Sequence, residues 1–152
     1  MPLRCHFFKE KMMGVTIYAN GSKQSFDMGS GGFFNLRKNI ALGLDQEFGE
    51  HYATLSRCST KEDYQRFDEV ANRILADERF QDKEDVLDFL FAPDTDGETG
   101  YKTCMKIFDC LQHIDLKGKC FVYANLSNGK DYEEFQQFLM DCYSHRRKMR
   151  WH

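Results

Sequence analysis

Apolar and polar residues alternate first in a short segment that predicts a β-hairpin. Residues 14–19 (Gly-Val-Thr-Ile-Tyr-Ala) are rich in β-branched and aromatic side chains, which favours a strand. Asn20-Gly21 follows, and this dipeptide is the strongest short-range signal for a hairpin turn. A second strand is predicted at about residues 24–28, and the glycines within residues 29–32 then break the pattern.

Farther along, apolar residues recur at steps of three and four, which predicts helices. The first helix starts at Phe33 and ends near Gly49, with these residues on its apolar face: Phe33, Leu36, Ile40, Leu44 and Phe48. The second helix begins at Ser59 or Thr60, where Glu62 can complete a capping box. We expect this helix to bury Tyr64, Phe67, Val70 and Ile74.

Three more helices and one strand complete the predicted architecture. A short helix covers residues 83–91, with Asp82 as its cap and Pro93 after its end, and residues 94–100 form a turn. A fourth helix begins at Tyr101, an apolar strand covers residues 120–124, and a fifth helix covers residues 131–144. The pattern therefore predicts an α+β fold, in which about five helices pack on a two- to three-stranded sheet.

Composition limits the class of protein. A chain of 152 residues that is 41% hydrophobic supports one compact domain with a real core. The chain has no run of 18 apolar residues, so we expect no membrane span. It also lacks a secretory signal and a C-x-x-C pair, so we expect a cytoplasmic protein with reduced cysteine thiols.

The start of the chain suggests a translated leader. Lys9-Glu10-Lys11 precedes Met12-Met13, and a common codon choice for Lys-Glu is also a ribosome-binding sequence. We therefore expect residues 1–12 to be a non-native leader and residues 13–152 to form the domain. An intact native mass that begins at Met1 would contradict this expectation.

Charge is segregated along the chain, although the net charge is only −3. Residues 1–44 carry +4, residues 45–98 carry −10 and residues 99–152 carry +3. Two interpretations explain the acidic middle segment. It is either a solvated helix surface or a surface that binds a basic partner. The candidate partner-binding residues are Asp77, Glu78, Asp82, Glu84, Asp85, Asp88, Asp94, Asp96 and Glu98.

A second candidate site would bind a nucleotide or a nucleic acid. Backbone amides of a glycine-rich turn before a helix can hold an anion, and cations with an aromatic ring can meet phosphate and base. The residues concerned are Gly29, Ser30, Gly31, Gly32, Arg37, Lys38, Arg146, Arg147, Lys148, Arg150 and Trp151. The turn matches neither the P-loop nor the dinucleotide pattern, so a tight turn also explains the glycines.

A third possibility is structural zinc. Cys110-x-x-His113 and Cys142-x-x-His145 each place a thiol and an imidazole on one helix face, and two such pairs could form a tetrahedral site. Two buried cysteines beside two helix-terminal histidines explain the same pattern. The sequence implies no other cofactor, and Asp94-Thr95-Asp96-Gly97-Glu98 lacks the spacing of a calcium loop. No motif supports a reaction class, so an enzyme of unknown class stays open as a less favoured alternative.

Two stretches carry a resemblance to a known group of proteins. These are MGVTIYANGSKQSFDMGSGGFFNLRKNIAL, and YKTCMKIFDCLQHIDL together with FQQFLMDCYSHRRKMRW. They resemble small uncharacterised proteins of low-GC Gram-positive bacteria and their phages or prophages. The likeness covers about residues 13–152, and Ser30 departs from the aromatic residue expected there. The resemblance implies a cytoplasmic α+β protein of a mobile element and assigns no activity, cofactor or functional residue.

The leading functional hypothesis is therefore a small phage- or prophage-type protein that acts by stoichiometric binding. The expected partner is a host or bacterial-defence protein that recognises the acidic segment. The alternatives are the nucleotide- or nucleic-acid-binding protein and the zinc-stabilised module described above.

Overall fold

The computed structural model of the chain describes residues 14–117, 119 and 130–152. Across these residues the fold is α+β, with one four-stranded antiparallel sheet and six α-helices. The predicted fold class is confirmed, and the numbers of strands and helices both exceed the prediction. The strand predicted at residues 120–124 lies outside the described residues. No helix in the described part of the chain is long and apolar enough to cross a bilayer.

The predicted hairpin is confirmed. Strands β1 (Val15–Tyr18) and β2 (Ser25–Met28) pair in an antiparallel register that sets Val15 opposite Met28 and Tyr18 opposite Ser25. Gly21 has a φ of +91°, a conformation that glycine adopts without the steric cost of a Cβ. Buried residues alternate with partly buried residues along β1 and with exposed residues along β2, so the hairpin presents one face to the core.

The other two strands were not predicted. They are β3 (Gly97–Thr99), inside the expected turn, and β4 (Met149–Trp151), inside the expected basic tail. The strand order is β2-β1-β4-β3, so β4 occupies an interior position in the sheet. Ile17 of β1 lies opposite Trp151, and Trp151 also lies opposite Gly97 of β3. The tail is thus part of the sheet.

The helices largely follow the predicted apolar spacing. Their bounds are α1 (Ser30–Leu44), α2 (Gln46–Ala53), α3 (Lys61–Leu75), α4 (Glu84–Phe91), α5 (Tyr101–Leu111) and α6 (Lys130–Ser144). Two short 3₁₀ turns, Thr54–Arg57 and Glu78–Phe80, follow α2 and α3.

The first predicted helix is in fact two helices. The chain leaves helical geometry at Asp45, whose φ of −164° is extended, and the Asp45 carboxylate accepts a hydrogen bond from the Phe48 amide at 2.9 Å. An N-cap of this kind starts a new helix. Phe48 therefore belongs to α2, and Gly49 lies inside α2 instead of ending a helix.

Three helix starts also differ in detail from the prediction. Helix α1 begins at Ser30, so the glycines after it form its first turn. The capping box of α3 consists of Thr60 and Asp63, because their side chains and backbone amides bond reciprocally. Lys83 is the N-cap of α4 and makes no capping side-chain bond, so the predicted cap at Asp82 is wrong.

The core is strongly aromatic and reaches from the sheet to the helices. Trp151 is 1% exposed, and its ring centroid lies 6.0 Å from that of Phe33 and 5.3 Å from that of Phe89. On the edge strand β2, Phe26 packs edge-to-face on Phe135 and Phe138 of α6. Such aromatic pairs hold β2 against α6 and β4 against α1 and α4.

Candidate functional site

The nine acidic candidates do not form one surface. Asp94 is buried at 1% exposure, and Asp77 forms an ion pair with Arg79. Glu98 lies on β3, where Lys148 at 2.8 Å and Arg150 at 2.7 Å hold its pKa below the ordinary value. Glu78 and Asp96 are exposed and line neither of the surface cavities described below. The structure brings together only the acids between residues 82 and 88.

Four of these acids line a shallow depression of about 370 Å³, named here the acidic depression. Its lining consists of Gln81, Asp82, Glu84, Asp85, Asp88 and Lys106. The carboxylates come from α4 and the residues before it, and Lys106 comes from α5. Sequence reasoning found the acids and missed Lys106, because only the packing of α5 on α4 brings the cation to them.

Two of the four carboxylates have structural partners. The Lys106 ammonium donates hydrogen bonds to the Asp82 carbonyl at 2.7 Å and to the Asp85 carboxylate at 3.2 Å. Lys83 forms an ion pair with Asp82 at 3.2 Å. Within the described part of the chain, the exposed side chains of Glu84 and Asp88 make no hydrogen bond or ion pair. Glu84 and Asp88 are therefore the two carboxylates of the depression that have no partner among the described residues.

Asp85 anchors α4 to α5. Burial of its carboxylate opposes ionisation, but hydrogen bonds from the Thr103 hydroxyl at 2.7 Å and from Lys106 outweigh this effect and hold the pKa of Asp85 below its ordinary value. The same carboxylate also accepts a hydrogen bond from the Val86 amide at 3.0 Å. Ionised Asp85 thus stabilises the folded state.

Replacing Asp85 with asparagine should therefore destabilise the protein in a pH-dependent way. Because the folded-state pKa is lowered, the stabilisation is fully present above the unfolded pKa and is lost as the pH falls through the folded pKa. We expect Asp85→Asn to lower the free energy of unfolding by about 1 kcal/mol near neutral pH. Urea denaturation at several pH values measures this, and a loss that stays constant into strong acid would contradict the assignment.

The basic candidates are largely engaged within the fold. Trp151 is buried, so the prediction of an exposed stacking ring is wrong; its indole N–H donates to the Pro93 carbonyl at 3.0 Å. Arg147 pairs with Asp141, while Lys148 and Arg150 pair with Glu98. Arg146 lies on the tail, and Lys38 lies on α1. The first turn of α1 consists of Ser30, Gly31 and Gly32, and Gly29 is its N-cap.

Arg37 is the second basic candidate that the structure places in the core. It is 1% exposed, its guanidinium lies 4.0 Å from the Phe33 ring centroid, and it donates to the Ala92 carbonyl at 2.7 Å. Burial lowers the pKa of Arg37, and the nearby Tyr52 and Asp94 oppose that shift. Arg37 thus ties α1 to the end of α4 and is not exposed to an anionic ligand.

The four zinc candidates are not brought together. Cys142 is fully buried, and a hydrogen bond with its thiol, together with burial, raises the pKa of Cys104. Burial raises the pKa of Cys110 to about 11, so this thiol is protonated. His113 is exposed, and the His145 ring lies 3.1 Å from Asp141. Among the described residues, no group of three His, Cys, Asp or Glu side chains could hold a metal ion.

A cleft that the sequence did not reveal lies between α2 and α3. Its volume is about 330 Å³. One wall consists of His51 and the segment that includes Thr54, Arg57 and Cys58. The Thr54 hydroxyl donates to the His51 carbonyl at 2.6 Å, and the Cys58 thiol lies 3.4 Å from the Thr54 carbonyl, which holds this segment against the end of α2.

The opposite wall of the cleft is one face of α3. It carries Asp63, Arg66, Phe67 and Val70, spaced so that they lie on neighbouring turns. Phe67 is 3% exposed and packs on Phe91 of α4, so the floor of the cleft is continuous with the core. We name this feature the α2–α3 cleft. Sequence reasoning assigned Phe67 and Val70 to the core and gave no signal that cations would border them.

Comparisons with protein-family models, with curated proteins and with solved structures found no match to the chain. The resemblance to phage or prophage proteins therefore stays a prediction.

Proposed function

We propose that the protein acts by stoichiometric binding to a protein partner, which it contacts through the acidic depression. The observation that carries this proposal is the pair of exposed carboxylates, Glu84 and Asp88, that have no partner within the described chain. The two residues are four positions apart on α4 and therefore lie on one face of the helix.

The chemistry of the depression defines the kind of partner. Lys106 and Lys83 offset part of the negative charge, and Glu84 and Asp88 provide the remainder. A Lys or Arg side chain of a partner can reach these two carboxylates at the surface without displacing a bond that holds α4 to α5. Exposed charges of this kind raise the rate of association and select partners by charge. The partner is a host or bacterial-defence protein with a basic surface.

The test reverses the charge of the two unpaired acids. In Glu84→Lys/Asp88→Lys, capture of the partner from host-cell lysate should fall roughly tenfold, because cations would then face the partner's cations. Quantitative mass spectrometry of the captured proteins measures the loss. Asp82 and Asp85 stay unchanged in this variant because they hold Lys83 and Lys106.

A matched control comes from α3. Glu62→Lys/Glu69→Lys makes the same change in net charge at two exposed acids, one of which also lies in the first turn of its helix. This control should capture the partner at the level of the unmodified protein. If both variants captured the partner as well as the unmodified protein does, the proposal would be contradicted. If both variants lost capture to the same extent, the loss would reflect a general effect of charge instead of a site.

A further inference from the structure

We propose that the α2–α3 cleft binds a small amphiphilic carboxylate, with the apolar part of the ligand on Phe67 and Val70 and its carboxylate between Arg57 and Arg66. This site lies on other elements than the acidic depression and shares no residue with it. It is therefore a second binding activity, independent of the partner proposed above.

The volume and the floor of the cleft suit a small organic molecule. A volume of about 330 Å³ falls within the range of known small-molecule pockets, which are mostly apolar with a few placed polar groups. Phe67 and Val70 provide apolar surface on α3, and the buried Cys58 faces them from the other wall. An alkyl or aryl group placed there would be removed from water against side chains that are already held by the core.

The rim of the cleft supplies the charge. Arg57 and Arg66 are both exposed, and within the described residues neither guanidinium forms an ion pair or a hydrogen bond. Other arginines of this region do have carboxylate partners: Arg73 pairs with Glu47 and Arg79 pairs with Asp45. A guanidinium matches a carboxylate in a two-point hydrogen bond, so the two unpaired arginines favour an anionic head group.

The charge balance favours one negative charge on the ligand. The third charged residue of the cleft is Asp63, whose carboxylate accepts hydrogen bonds from the Ser59 amide at 3.2 Å and the Thr60 amide at 3.3 Å. These two hydrogen bonds and, to a smaller degree, the charge of the nearby Arg66 hold the pKa of Asp63 below its ordinary value. Two guanidinium groups and one carboxylate leave one excess positive charge, which a monocarboxylate neutralises and a doubly charged phosphate would exceed.

The test compares three ligands that share one alkyl chain. Octanoate, octanol and octylamine are titrated into the full chain, and nuclear magnetic resonance follows the methyl signals of Val70 and the ring signals of Phe67. Octanoate at millimolar concentration should shift these signals, and octanol and octylamine should shift them much less. Absence of a shift with octanoate, or equal shifts with octanol, would overturn the proposal.

A charge-neutralising variant tests the head-group contact. Arg57→Gln/Arg66→Gln should weaken octanoate binding roughly tenfold or more, because it removes both charged donors. Lys61→Gln/Arg73→Gln removes the same charge at exposed cations outside the cleft and should bind octanoate as the unmodified protein does. Unchanged affinity in the first variant, or equal weakening in both, would overturn the assignment. Thermal unfolding confirms that each variant is folded, as expected for exposed positions.

Discussion

Replacing Trp151 with alanine should lower the free energy of unfolding by about 4 kcal/mol, which is typical of a buried tryptophan. The ring is 1% exposed and contacts Phe33 and Phe89. Its strand pairs with β1 on one side and β3 on the other, so the cavity would open between the middle of the sheet and the helices that carry Phe33 and Phe89. Urea denaturation followed by circular dichroism measures the change.

Two control variants separate the contributions of Trp151. Trp151→Phe keeps an aromatic ring and loses the hydrogen bond to the Pro93 carbonyl, so it should cost only about 1–2 kcal/mol. Met140→Ala removes an apolar side chain that is 41% exposed and should change stability by less than about 0.5 kcal/mol. A Trp151→Ala protein as stable as the Met140→Ala protein would refute the interior placement of β4.

Replacing Gly43 with alanine should lower the free energy of unfolding by about 2–3 kcal/mol, although alanine is the better helix former by about 1 kcal/mol. A Cβ at Gly43 would lie 1.9 Å from the Cys110 carbonyl oxygen and 2.6 Å from its carbon. Both are backbone atoms of α5, so α1 and α5 would have to move apart. Chemical denaturation again measures the loss.

Gly31→Ala is the matched control on the same helix. Gly31 is exposed, and a Cβ there would meet no atom within 4 Å. Its replacement should leave stability unchanged or raise it by about 0.5 kcal/mol, mainly by restricting the unfolded chain. If Gly43→Ala were as stable as Gly31→Ala, the close contact of α1 with α5 would be wrong.

Local signals in the sequence sufficed for the hairpin and most helices. Asn20-Gly21 specifies its turn by backbone chemistry alone, and the apolar spacing from Tyr101 marks α5 without knowledge of its neighbours. The break at Asp45 escaped this reasoning because Leu44 and Phe48 keep helical spacing across it. The carboxylate that caps α2 leaves no trace in an apolar pattern.

Strands β3 and β4 could not be predicted from local pattern. Each has three residues, too few for an alternation to be distinct, and Arg150 sits between the two buried residues of β4. The cations around Trp151 favoured an exposed tail. In the structure, Lys148 and Arg150 form ion pairs with Glu98 of β3, which is distant in sequence. These ion pairs link the tail to the neighbouring strand of the sheet.

The candidate sites were also predictable only in part from the sequence. Glu84 and Asp88 share a helix, so their common face follows from spacing. Lys106 in the acidic depression, and Arg57 opposite Phe67 in the α2–α3 cleft, depend on how separate elements pack. Lys106 and Arg57 therefore could not be predicted from the sequence, because tertiary contact brings them to these sites.

The interior position of β4 has a consequence for synthesis of the protein on the ribosome. Strand β1 appears early in the nascent chain and can pair with β2 at once, but on its other side Ile17 pairs with Trp151. Until residues 149–151 emerge, β1 has an edge of unpaired backbone groups, and such edges promote association between chains. Long-range pairing of this kind also slows folding. The nascent chain therefore has a prolonged exposure to chaperones and to aggregation, which ends only when β4 joins the sheet.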